Sequence, residues 1–273
     1  MMANDFPRPE TIKSDKDSYK NIHTRLREKV SKRILRLNAP SSNNRIALEW
    51  GVGLGGNLPV IASFFDTIEA YDLSPEAIAY CQEHYPLAHV RYFCNDAGSC
   101  ENKGHFDAIF MYSILEHLQN DRLMLRKAAQ LLKAGGLLFM QVPQCKSYFS
   151  VIDEFYGHFR RYDSEELKEM LKFEGLEIME FRSLGIGALW GFEIAKFKRK
   201  YGPSQFKRED QNLISSYTEF SRTKKALYWA KWPFMKLLER PYDWFSKRFA
   251  LGVELFVAAR KGEASQSEKQ EPL

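Results

Sequence analysis

The chain has 273 residues, 44% of them apolar and 27% charged, and a formal net charge of +5. Its length allows one sizeable core with an appended element, and its composition is that of an ordinary soluble globular protein. No apolar run approaches the roughly 20 residues that span a bilayer, and the polar first thirty residues carry no secretory signal.

The four cysteines, Cys81, Cys94, Cys100 and Cys145, form no C-x-x-C pair, and the six histidines show no metal-ligand spacing. Those features predict a reducing, cytoplasmic setting without disulfides, structural zinc or another metal site. The charge is zoned: ten Lys/Arg against five Asp/Glu in residues 1–44, 13 against 21 in 45–195, and 15 against six in 196–260. An acidic middle between two basic flanks suggests distinct segments.

In chain order, residues 1–18 read as disordered. Tyr19–Leu37 reads as a basic amphipathic helix with Ile22, Leu26, Val30, Ile34 and Leu37 on one stripe. The linker Asn38–Asn44 follows. Apolar strands then alternate with helices. The strands are expected at Ile46–Trp50, Thr67–Tyr71, His89–Cys94, Phe106–Tyr112 and Leu137–Val142, the helices at about Asn57–Phe65, Ser74–His84 and Asp121–Leu132. A further helix opens at "YDSEELKEML", with Asp163 as its cap, and leads to a strand near Leu176–Leu184. This alternation predicts an α/β protein with a doubly wound parallel sheet. Residues 185–250 are aromatic, basic and interrupted by proline, which suits broken helices. "LGVELFVAARK", Leu251–Lys261, returns to strand periodicity before a polar tail, 262–273.

The stretch "RIALEWGVGLGGNLPVIASFF" joins a strand ending near Glu49 to a helix through Gly51, Gly53, Gly55 and Gly56. Glycine lets the backbone turn tightly and approach a ligand. The loop satisfies both the dinucleotide pattern G-x-G-x-x-G and the looser Glu-x-Gly-x-Gly pattern of methyl-donor sites. Asp72, ending the second strand, could accept ribose hydroxyls in either case. The remainder of the chain separates the two. "CNDAGS" puts Asp96 at the end of the third strand, "FDAIFMYSILEHLQND" runs a fourth strand into a turn, and "LLKAGGLLFMQVP" reads as a helix stopped by glycines before a fifth strand. No tyrosine has a lysine four residues later, which disfavours a nicotinamide reductase.

Together these segments resemble the class I S-adenosylmethionine-dependent methyltransferases over residues 45–184. "DEFYGHFRRYDSEELKEMLKFEGLEI" further resembles a bacterial subgroup with a Gly-His-Phe/Tyr-Arg-Arg-Tyr segment. The resemblance implies a Rossmann-like seven-stranded sheet with an antiparallel last strand. It also implies a helical insertion, 185–250, before that strand at 251–261.

It assigns Glu49, Gly51, Gly53 and Gly55 to the methionine and ribose part of S-adenosyl-L-methionine, Asp72 to the ribose and Asp96 to the adenine. Leu73 and Ala97 would flank the ring. Trp50 and Val52 depart from the smaller or sulfur-bearing residues common in the family.

For catalysis, the donor's methyl is already activated, so the protein must align an acceptor and, for a hydroxyl, take a proton. His158 and His117 are the candidate bases; each could instead serve structure. Arg160 and Arg161 could pair with an acceptor phosphate or carboxylate, or hold their segment to acidic neighbours. The fourth strand lacks the Asn/Asp-Pro-Pro-aromatic motif of enzymes that methylate nucleobase or glutamine nitrogens. The expected acceptor is therefore a small molecule or a lipid- or sugar-linked one, methylated on oxygen or carbon. The competing readings are a donor-binding scaffold without catalysis and an RNA methyltransferase. Residues 185–250 could be a lid, a peripheral contact with the inner membrane face, or, least favoured, a nucleic-acid surface.

Overall fold

A computed structural model describes residues 22–38, 44–185, 187–201, 241–249 and 252–262. Helix α1, Ile22–Asn38, precedes β1, Ile46–Trp50, and the short α2, Leu58–Ile61. Then come β2, Thr67–Asp72; α3, Pro75–His84; β3, Val90–Cys94; β4, Phe106–Tyr112; and α4, Asp121–Leu131. Strand β5, Leu132–Pro143, is followed by α5, Val151–Phe155; α6, Ser164–Phe173; and β6, Leu176–Leu184. Helix α7, Trp190–Tyr201, a helical segment over residues 241–248 (α8) and β7, Glu254–Lys261, complete the described chain.

The seven strands form one sheet in the order β3-β2-β1-β4-β5-β7-β6. Strands β1 to β5 pair in parallel, and β7 runs antiparallel between β5 and β6. Both faces are buried, so the strands alternate between two apolar cores. In β5, Leu138, Met140 and Val142 face one core while Leu137 and Phe139 face the other. Helices α4 and α6 complete the first core through Leu125, Leu167 and Leu171. Helix α1 and α3 complete the second through Leu26, Val30, Ile34 and Ile78. Burying side chains of this size stabilises the fold by about 1.5–3 kcal/mol each. Strand order reverses between β1 and β4, and the crevice beyond the strand ends there is where open α/β sheets bind ligands.

Several boundaries differ from those the sequence predicts. Helix α2 is four residues long, shorter than Asn57–Phe65: Asn57 makes no side-chain cap bond because its side chain is engaged by Glu49 and Arg27. Strand β5 begins five residues before Leu137, since α4 passes directly into it. Asp163 stands at the start of α6 without capping it; its Oδ1 instead accepts from the Lys146 amide at 3.2 Å. The last strand starts at Glu254 rather than Leu251, with Gly252 set tightly against Leu184. Residues 1–21, 202–240 and 263–273 lie outside the described residues, and with them the expected disorder at both ends and Trp229 and Trp232.

Candidate active site

A cavity of about 710 Å³ opens at the strand ends near the reversal. One wall is the glycine loop with Gly51 and Gly53, followed by Asp72, Leu73 and Asp96; the other is His117, Tyr156, His158 and Trp190. The sheet holds the first wall. The turn after β4 and the connection between α5 and α6 carry most of the second, and α7 adds Trp190.

On the first wall, Gly51 has φ +78° and passes so close to Ile114 that a Cβ there would lie 2.1 Å from its Cδ1. Gly53, at φ +51°, has open space where its Cβ would be. Its amide donates to Asp72 Oδ2 at 2.8 Å, while Ser74 donates to Oδ1 at 3.0 Å. Backbone amides thus fix the Asp72 carboxylate, and each oxygen retains a lone pair for a ligand hydroxyl. Asp96 Oδ1 accepts from the Gly98 amide at 2.9 Å, so it also caps the turn that follows. Leu73 is exposed and lines the cavity.

Three expected donor contacts fall elsewhere. Ala97 is fully buried and does not line the cavity. Gly55, at φ +71°, does not line the cavity, and Tyr85 and Cys81 fill the space a Cβ would take. Glu49 lies buried beneath the loop; its Oε1 accepts from Asn57 Nδ2 at 2.9 Å, and its Oε2 has no partner. Burial raises its pKa to about 8 against the lowering pull of Asn57 and Arg27. Its position is that of a group holding the loop from below. Arg27, from α1, donates to Asn57 Oδ1 and to Gln141 Oε1, and Gln141 in turn donates to Glu254. Nothing in the sequence pattern of α1 pointed to its reaching these residues.

On the second wall, His158 Nδ1 lies 2.9 Å from Asp153 Oδ1, which also accepts from Arg161 Nε at 2.7 Å. Burial works against ionising Asp153, yet the bonds from His158 and Arg161 hold its pKa below the usual carboxylate value. An ionised Asp153 can only accept, so Nδ1 carries the proton and the ring is fixed in one tautomer.

Arg161 is 3% exposed and also donates to the Gln144 carbonyl, with Trp190 stacked 4.3 Å over its guanidinium. Arg161 also lines the cavity, but these contacts tie its guanidinium to its own segment, the second of the two readings the sequence offered. Arg160 likewise pairs with Asp121 at 3.0 Å. Tyr162 packs, its hydroxyl donating to Asp121.

The pKa of His117 is lowered to about 4 by burial and the neighbouring His158, and the Gly157 backbone only partly offsets this. Its ring meets that of His158 edge-on at 4.8 Å. Glu116, buried beside it, has a pKa raised to about 8, mainly by desolvation. Among the described residues, Glu116, His117 and His158 offer ligand atoms that lie within 4.8 Å of one another. Spacing along the chain could not reveal that trio, because His158 lies 41 positions beyond His117.

The first wall fits an adenosyl sulfonium donor: it has a glycine loop open to close approach, two backbone-fixed carboxylates and an apolar edge. A family profile described as a methyltransferase domain matches residues 22–180. The chain is 22% identical over 173 residues to a probable S-adenosylmethionine-dependent methyltransferase of Mycolicibacterium smegmatis, covering 63% of this chain and 65% of that protein. It is 33% identical over 95 residues to a ubiquinone biosynthesis O-methyltransferase of Xanthomonas campestris, covering 33% of this chain and 40% of that protein. It therefore spans less than two thirds of the length of either relative. Among solved structures, phosphoethanolamine N-methyltransferase 2 of Haemonchus contortus, in complex with S-adenosyl-L-methionine, superposes with a TM-score of 0.52 at 21% identity. The match covers 86% of this chain and 53% of that one. At that identity the likeness concerns the fold alone.

Proposed function

We propose that this chain, which belongs to the class I S-adenosylmethionine-dependent methyltransferase family, moves the donor's methyl group to an oxygen or carbon of a small or lipid- or sugar-linked acceptor. The observation that carries the reading is the continuity of the cavity: Gly53, Asp72 and Asp96 share one space with His158. When bound, S-adenosylmethionine supplies an electrophilic methyl carried on a sulfonium.

The chain's own residues do the remainder. Asp72 and Asp96 hold the nucleoside, and the bared backbone at Gly51 and Gly53 lets it approach. His158, fixed by Asp153, presents Nε2 to an acceptor hydroxyl and takes its proton as the oxygen becomes nucleophilic. Trp190, whose indole Nε1 donates to the Tyr148 carbonyl at 2.8 Å, limits water at the acceptor end. The sequence likeness to an O-methyltransferase supports oxygen as the acceptor atom.

Helix α7 supports a lipid-linked acceptor. Lys196 and Phe197 line the cavity while Leu189, just before the helix, and Phe192 are exposed. Trp244 on α8 is 57% exposed. An apolar and basic rim at a cavity mouth suits peripheral contact with an anionic surface. Among the described residues no helix is long and apolar enough to cross a membrane.

The direct test is transfer of tritiated methyl groups from S-adenosylmethionine into fractionated cell extract, with products identified by mass spectrometry. Label in a lipid or small-molecule fraction, lost with His158→Ala, is the expected result. Label confined to RNA would replace the acceptor reading, and no label in any fraction would favour a donor-binding scaffold.

A further inference from the structure

We propose that Glu116, His117 and His158 form a binding site for one divalent first-row transition ion at the acceptor end of the cavity. The three side chains line the cavity and bring a carboxylate oxygen and two imidazole nitrogens within 4.8 Å of one another. An N₂O donor set suits zinc or manganese, whereas magnesium prefers an all-oxygen shell. Two ligands at about 2.1 Å from one ion are at most about 4.2 Å apart. At least one side chain therefore turns inward when the ion enters.

Three further observations point to a cation. Glu116 is 1% exposed and its Oε2 has no hydrogen-bond partner. A buried carboxylate oxygen without a donor is costly, and a metal ion is one of the few partners that satisfies it. The charged neighbours of Glu116 also lean one way: Glu254 and Asp153 repel its charge, while Arg161 and a backbone hydrogen bond at Glu116 itself favour it. A divalent ion reverses that balance.

The outer shell is in place as well. His158 Nδ1 bonds to Asp153, and the Gly157 backbone acts on the His117 ring. Metal-bound histidines are oriented in this way, with the second nitrogen held by a carboxylate or backbone carbonyl. Three protein ligands leave open coordination positions toward the cavity. Given the methyl-transfer reading, an acceptor oxygen placed there would lose its proton more readily. His158 would then act as a ligand, with the ion in place of the imidazole as activator. Ion binding itself does not depend on that reading.

The test uses the full chain, stripped with chelator and dialysed, titrated separately with Zn²⁺, Mn²⁺ and Mg²⁺, with bound metal quantified by mass spectrometry. The expected result is one Zn²⁺ or Mn²⁺ per chain that Mg²⁺ does not displace. Glu116→Gln and His117→Ala should each lower that stoichiometry by one while S-adenosylhomocysteine still binds. Retained stoichiometry in folded Glu116→Gln and His117→Ala, or no Zn²⁺ and Mn²⁺ uptake by the wild type, overturns the site. Titration with S-adenosylhomocysteine in the same samples separates the two claims. Donor binding without ion binding sinks only the metal site, and ion binding without donor binding sinks only the methyl-transfer reading.

Discussion

His158 Nδ1 and Asp153 Oδ1 are 2.9 Å apart, and Arg161 Nε bonds the same oxygen at 2.7 Å. That shared carboxylate fixes the imidazole on the acceptor wall and leaves its orientation independent of the donor wall. His158→Ala should therefore abolish transfer, by about 10²–10⁴-fold if it acts as a base, with donor affinity nearly unchanged. Single-turnover rates and S-adenosylhomocysteine titration on the same variant check this. An active variant with the wild-type rate would make His158 structural.

Arg161 should behave differently. It is buried, tied to Asp153 and stacked under Trp190. Arg161→Met removes the charged partner of Asp153 and leaves it only His158 and Ser150, and breaking a buried pair costs about 3–5 kcal/mol. The expected outcome is a lowered urea midpoint together with lost activity. Unchanged stability with weakened acceptor binding would return Arg161 to the acceptor.

The Glu116 carboxyl predicts a pH dependence of stability. Its folded pKa of about 8 lies above the ordinary 4.5, so the fold prefers the neutral acid. That contribution is fully present below about pH 4.5 and is lost as pH rises through about 8. Glu116→Gln is neutral throughout. With chelator present, its stability relative to wild type should increase between those values and then level off. A difference independent of pH would place the wild-type carboxylate in a better-solvated setting.

The segment around α7 and α8 predicts reversible sedimentation with anionic vesicles at low salt, weakened by added salt. Each Lys or Arg near the surface adds about 1 kcal/mol. Trp190 is covered by its contacts within the site, but Trp244 is not. Trp244→Ala should reduce vesicle binding and spare donor affinity. A protein that stays in the supernatant under these conditions has a lid there and no membrane contact.

The fold was largely legible because both sheet faces are buried and the strands stand out as apolar runs: β1, β4 and β6 have the expected bounds. Strand β5 was read short, since Gly135 and Gly136 look like a helix stop, although here they lie within a strand that leaves α4 directly. The cavity-lining carboxylates Asp72 and Asp96 were legible because they sit at or just beyond strand ends. The Asp153–His158–Arg161 cluster, the Glu116 carboxyl and Arg27 were not, since packing between separate segments brings them to the site. Glu49 fits the sequence pattern, yet tertiary structure turns it beneath the loop.

Calorimetric titration with S-adenosylhomocysteine and, separately, with NAD tests the central claim most directly, using wild type and Asp72→Ala. The account predicts one site per chain for S-adenosylhomocysteine, none for NAD, and a loss of about 1.5–3 kcal/mol in Asp72→Ala, the value of hydrogen bonds to a charged group. Binding of NAD alone, or S-adenosylhomocysteine affinity unchanged by Asp72→Ala, would contradict it.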